Sequence, residues 1–166
     1  MKKSCLLSVM LVLGSVVSID AMQSRPALYK PIDSLLSGVR GIYANIDWPA
    51  IFAILDLMPD IDVNEYYTKD GATLLINAIQ GKKFLAAKTL LETYKANPNK
   101  PESVLSVGAF GNTPLIFACI KDDLPMVKLL LYYGANPNLK NASGKDCFYF
   151  ARGKNPEILK VLNQFK

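Results

Sequence analysis

The chain contains no histidine. That absence removes Ser-His-Asp and Cys-His activation of a nucleophile, histidine ligation of a metal, and the ordinary side chain that titrates near neutrality. Chemistry by carboxylates, lysine or tyrosine survives the filter, so composition disfavours an enzyme without excluding one. Charged residues are also sparse, 20% of 166 residues against 51% hydrophobic, a balance that fits neither intrinsic disorder nor a coiled coil. No apolar run is long enough for a membrane span: the longest uncharged one, Cys5 to Ile19, has 15 residues where a spanning helix needs roughly 20. What remains is a mildly basic chain of formal net charge +5 with one tryptophan and three cysteines. Its length suits one ordinary domain, or a few short repeats behind a targeting segment.

Met1-Lys2-Lys3 is a short basic region, followed by that apolar run and then Asp20. The pattern fits a secretory signal peptide over residues 1–21, cleaved after Ala21 or alternatively after Ser18. An uncleaved amino-terminal anchor is the competing reading. The expected product is exported, periplasmic or secreted, with no stable membrane span after cleavage.

The remainder repeats itself. Gly71-Ala72-Thr73-Leu74-Leu75-Ile76-Asn77-Ala78 aligns with Gly111-Asn112-Thr113-Pro114-Leu115-Ile116-Phe117-Ala118, and each leads through an apolar stretch to Ala-Asn-Pro-Asn, at Ala96 and at Ala135. Thr73 to Ala96 is 23 residues and Thr113 to Ala135 is 22, so one residue is inserted near Tyr94-Lys95. A weaker copy runs from Gly144 through Cys147-Phe148-Tyr149-Phe150-Ala151 to Ile158-Leu159-Lys160-Val161-Leu162. Upstream, Ile51, Ile54, Leu55 and Met58 are spaced for one face of a helix that precedes Ile61-Asp62-Val63-Asn64, a copy of the exit motif. Ile32, Leu35, Leu36 and Val39 have the same spacing. Residues 22–68 are therefore expected to form a degenerate capping repeat, ahead of repeats at about 69–99, 109–138 and 142–166.

The copy at Thr113 translates directly into conformation. Thr113 suits an N-cap and Pro114 the first helical position, with the helix ending at about Ile120. Asp122 or Asp123 caps a second helix, Pro125 lies in its first turn, and Met126, Val127, Leu129, Leu130 and Leu131 make its buried side. Gly134 can take the left-handed conformation that ends it. One such helix pair cannot bury both faces, so neighbours must stack.

These motifs resemble the ankyrin repeat, over roughly residues 69–166. The resemblance implies an all-α fold, an ankyrin-repeat solenoid of stacked antiparallel helix pairs with finger loops. Ile76, Ile116 and Tyr149 stand where the family usually has a histidine, so apolar packing is expected there. The family's mode of action implies another protein as partner, bound on a concave face of first helices and on the fingers. Carried over position by position, that face takes in Asn77, Gln80, Phe117, Ile120, Lys121 and Phe150. The finger between Asn99 and Gly111 spans 12 residues, against 6 between Asn138 and Gly144, and its Val104, Leu105, Val107 and Phe110 are further candidate contacts.

Other signals are weaker. Lys82, Lys83, Lys88, Lys95 and Lys100 are spread over the repeat and read as solvated surface, so no nucleic-acid partner is expected. Asp56, Asp60, Asp62, Glu65 and Asp70 lack the order of a calcium loop, and no metal or cofactor is expected. Cys119 and Cys147 are offset on neighbouring repeats and are expected to be free buried thiols, since stacked helices lie ~10 Å apart and a disulfide needs Cα atoms within ~7 Å. Asn141-Ala142-Ser143 fits the N-glycosylation pattern on a finger tip. The reading is of a monomeric, exported, non-catalytic interaction module; a self-associating envelope component is the alternative, and an enzyme comes last.

Overall fold

A computed structural model describes residues 46–59, 61–65, 71–103 and 110–165. The chain divides into two compact units, Met1–Asp62 and Val63–Lys166. The described part of the first unit centres on α1 (Trp48–Leu57), which buries Trp48, Ile51, Ile54 and Leu55. Asp47 caps it by accepting from the Ala50 N–H at 3.1 Å, and Pro49 occupies the first turn, where an N–H has no helical partner to lose. The expected sorting signal over residues 1–21 and the helix expected around Ile32 to Val39 lie outside the described residues.

Among the described residues, the second unit holds three helix pairs: α2 (Leu74–Gln80) with α3 (Phe84–Glu92), α4 (Pro114–Ile120) with α5 (Leu124–Tyr132), and α6 (Cys147–Ala151) with α7 (Pro156–Asn163). Helices α2, α4 and α6 pack side by side as one layer, and α3, α5 and α7 as a second. No strand occurs among the described residues. The sequence dictates this locally. Thr73 and Thr113 cap α2 and α4 with their hydroxyls, accepting from Ile76 and Ile116 N–H at 3.2 and 3.3 Å. Of the two aspartates that could start α5, Asp123 does so, accepting from Met126 N–H at 3.1 Å. Met126, Val127, Leu129, Leu130 and Leu131 are all buried. Gly134 follows with φ of +85°, and the equivalent place after α3 is taken by Lys95 at +54°, where the inserted residue was expected.

Fully buried Leu74, Ile76, Ile79, Leu90, Leu115, Ile116, Met126, Leu130, Ile158 and Leu162 form the core. Ile76 and Ile116 thus fill the usual histidine position by apolar packing, as expected. Tyr149 does not: it is 48% exposed, with Lys145 Nζ lying 4.4 Å over its ring. Both cysteines are free and buried. They are nonetheless neighbours. The Cys147 thiol donates to the Pro137 carbonyl at 3.1 Å, and a hydrogen bond with Cys147, reinforced by burial, pushes the Cys119 thiol far above the ordinary thiol range.

Candidate interaction surface

The loops between pairs are tied by asparagines. Asn64 Oδ1 accepts from Asn97 N–H at 2.6 Å, Asn97 Oδ1 from Asn99 N–H at 2.9 Å, Asn99 Oδ1 from Asn136 N–H at 2.7 Å, and Asn136 Oδ1 from Asn138 N–H at 2.9 Å. The bonds alternate within a loop and between loops, so the loops at Asn97 and Asn136 are each positioned by the one before.

The base of the long finger is fixed by a group that sequence patterning missed. Glu102 is buried, and its Oε1 accepts from Phe110 N–H at 2.9 Å, Asn112 N–H at 3.1 Å and Asn112 Nδ2 at 3.0 Å. Ser103 N–H donates to the Gly71 carbonyl at 2.7 Å, and Asn112 Oδ1 accepts from Asn141 Nδ2 at 2.8 Å. A carboxylate with three converging donors is a strong anchor, because an ionised acceptor roughly doubles the strength of each bond. Asn141 is part of this network and only 8% exposed, so the glycosylation pattern falls on a framework amide rather than on an accessible tip.

The candidate contact residues sort into three groups. Asn77 is buried, 4% exposed, and donates its amide to the Thr73 carbonyl at 3.1 Å, so it serves the repeat and is not offered to a partner. Gln80, Phe117, Ile120 and Phe150 are half-buried on the first-helix layer, and Lys121 is exposed beside Ile120. The Gln80 Oε1 atom is buried without a hydrogen-bond partner among the described residues. Phe150 stacks edge-to-face on Tyr149, ring centroids 5.2 Å apart. Phe110, at the end of the long finger, is 56% exposed. Val104, Leu105 and Val107 lie outside the described residues.

The aspartates of the turns and helix starts accept from backbone donors. Asp146 accepts from Tyr149 N–H at 2.9 Å and Asp122 from Asn155 N–H at 3.3 Å, in addition to the caps already described. Among the described residues, no three His, Cys, Asp or Glu side chains group in a way that could hold a metal.

First helices capped by Thr73, Thr113 and Asp146, each paired with a second helix, and loops linked by asparagines define a protein of stacked helix pairs. Residues 49–141 and 75–164 match the profile for ankyrin repeats (three copies). The chain belongs to the ankyrin repeat family. It is 46% identical over 54 residues to the human transient receptor potential cation channel subfamily A member 1, a match covering 32% of this chain and 5% of the relative. It is 33% identical over 81 residues to the ankyrin repeat and LEM domain-containing protein 1 homolog of Caenorhabditis elegans, covering 49% of this chain and 10% of the relative. It is 36% identical over 81 residues to a putative ankyrin repeat protein of Rickettsia bellii, covering 45% of this chain and 12% of the relative. The chain thus spans a small part of the length of each.

Proposed function

We propose that this chain is an exported, non-catalytic interaction module whose first-helix face and finger loops bind another protein. Ankyrin repeats generally mediate protein–protein interaction. The observation that carries the reading is the partly exposed apolar side chains Phe117, Ile120 and Phe150 on the first-helix layer, with Phe110 of the long finger also exposed. The framework does not require these residues to be aromatic or aliphatic at the surface, and apolar groups left accessible beside each other favour a macromolecular contact. Export rests on the amino-terminal basic and apolar pattern, and monomeric behaviour is part of the reading.

The test is cross-linking of the tagged full-length chain in its native cell, with mass spectrometry of what it carries and of its own amino terminus. A partner recovered by the parent and lost by a folded Phe117→Ala, Ile120→Ala double variant is the expected result, together with a terminus beginning after Ala21 or Ser18. Recovery of this chain alone, with sedimentation that rises with concentration, would replace the reading with self-association. Confinement of the chain to the cytoplasmic fraction with Met1 intact would remove export, and an intact Met1 in an exported fraction would remove cleavage.

A further inference from the structure

The repeat's cations divide by location. Among the described residues, two of the three second-helix lysines are paired, Lys88 with Glu92 at 3.9 Å and Lys160 with Glu157 at 3.8 Å, and Lys128 is not, while Lys100 meets Glu65 at 3.1 Å beside the loops. In the turns that leave the first helices the cations are not paired. Lys82 and Lys83 follow α2, Lys121 caps the end of α4 and Arg152 caps the end of α6. Lys82, Lys121 and Arg152 are exposed, and no carboxylate of the described residues pairs with any of the four. Asp122 and Asp123, the acidic groups of the same turns, are held by the N–H groups of Asn155 and Met126.

These turns form one row. Helices α2, α4 and α6 are consecutive neighbours, and the last two turns are bonded to each other: Lys154 Nζ donates to the Cys119 carbonyl at 3.3 Å and also to the Ile120 carbonyl, and Asn155 to Asp122 as above. Packed helices lie about 8–10 Å apart. An extended polyproline-II chain advances about 3.1 Å per residue with three residues per turn, so every third side chain returns to the same face one step further along the row.

We propose that the row Lys82, Lys83, Lys121 and Arg152 binds an extended acidic segment of a partner protein, one that presents a carboxylate at about every third residue. The proposal rests on the interaction reading above and adds the partner's chemistry. A carboxylate at each step meets a cation that has no anionic partner among the described residues, whereas two of the three second-helix lysines are already paired. Helix dipoles also favour a cation at each helix end, but they account for one charge per end and leave the doubled cation after α2 without a role.

The experiment uses the full-length chain and a fluorescent peptide with glutamate at every third position among serine and alanine. Its comparators are a peptide with the same glutamates in one block and a single-stranded RNA oligonucleotide. A Lys82→Glu, Lys121→Glu, Arg152→Glu variant is compared with a Lys88→Glu, Lys128→Glu, Lys160→Glu variant of equal charge on the second helices. Circular dichroism establishes that both are folded. The expected result is spaced-peptide binding that weakens with salt, falls about ten-fold or more in the first variant and changes little in the second. Equal loss in both variants, equal binding of the blocked peptide, tighter binding of RNA, or no peptide binding at low salt would each overturn it. A partner cross-linked equally by the parent and the first variant would sink the acidic-segment proposal and leave the interaction reading standing; no cross-linked partner at all would sink that reading.

Discussion

The copy beginning at Thr73 and the copy beginning at Thr113 share a backbone plan and differ in how it is finished. Both start with a threonine cap and bury an isoleucine at the third helical position, and both bring the chain back through a left-handed residue. The later copy has Pro114 at a helix start, Asp123 as a side-chain cap for its second helix and Gly134 in the left-handed place. The earlier one has Lys83 at the cap with no side-chain bond, and Lys95 at φ +54°. At the position before the motif alanine, Asn77 is turned to its own helix while Phe117 remains half-exposed. The shared framework therefore rests on few residues, and the positions it leaves free distinguish one copy from the other.

The largest expected effect tests what the copies share. Leu90 and Leu130 are fully buried at equivalent places, and aspartate at either strands a charge in the core at a cost above ~4 kcal/mol. Loss of helical circular dichroism for both variants is the expected outcome, and a soluble, fully helical Leu130→Asp protein would contradict the stacking. Glu102→Ala comes next. It leaves the Phe110 N–H and both Asn112 donors without their acceptor and should cost about 2–4 kcal/mol by urea denaturation, with Glu102→Gln milder. A change below half a kcal/mol would show that the finger needs no anchor.

The smaller predictions concern the difference itself. Exchanging caps should move the two copies in opposite directions: Asp123→Ala should destabilise and Lys83→Asp stabilise, each by ~1 kcal/mol in thermal or urea unfolding. If Lys83→Asp brings no gain, the earlier helix start has another constraint. Lys95→Gly should add roughly 0.5–1 kcal/mol by removing a side chain from a left-handed residue, and Gly134→Lys should subtract about as much. Amide exchange in α3 and α5 would assign each shift to its own copy.

The elements that could be read from sequence are those whose cause is local. Thr113-Pro114, Asp123 with Pro125, and the spacing of Met126 to Leu131 each fix one helix from neighbouring residues, so the structure places them as expected. Glu102 was invisible because its donors lie 8 and 10 residues away across an irregular loop, outside any helical or strand period. Asn77 is a candidate only by its place before the motif alanine, and that place does not reveal that the carbonyl of its helix's own cap, Thr73, satisfies its amide. Asn141 falls on a finger by its place in the repeat, and its bond to Asn112, 29 residues distant, has no local signal. The proximity of the two thiols was also missed, since spacing between helix axes says little about where side chains reach across a stack.

The asparagine chain has a consequence for how such a molecule can change in length. Asn99 receives the next loop's N–H in the way that Asn64 receives Asn97's, so each loop offers its successor the same acceptor that it was itself given. A copy carrying its asparagine pair can therefore be duplicated, removed or exchanged without redesigning the joint. The cross-loop bond acts as a common coupling, and the array can be lengthened in whole units while each unit's exposed face diversifies alone.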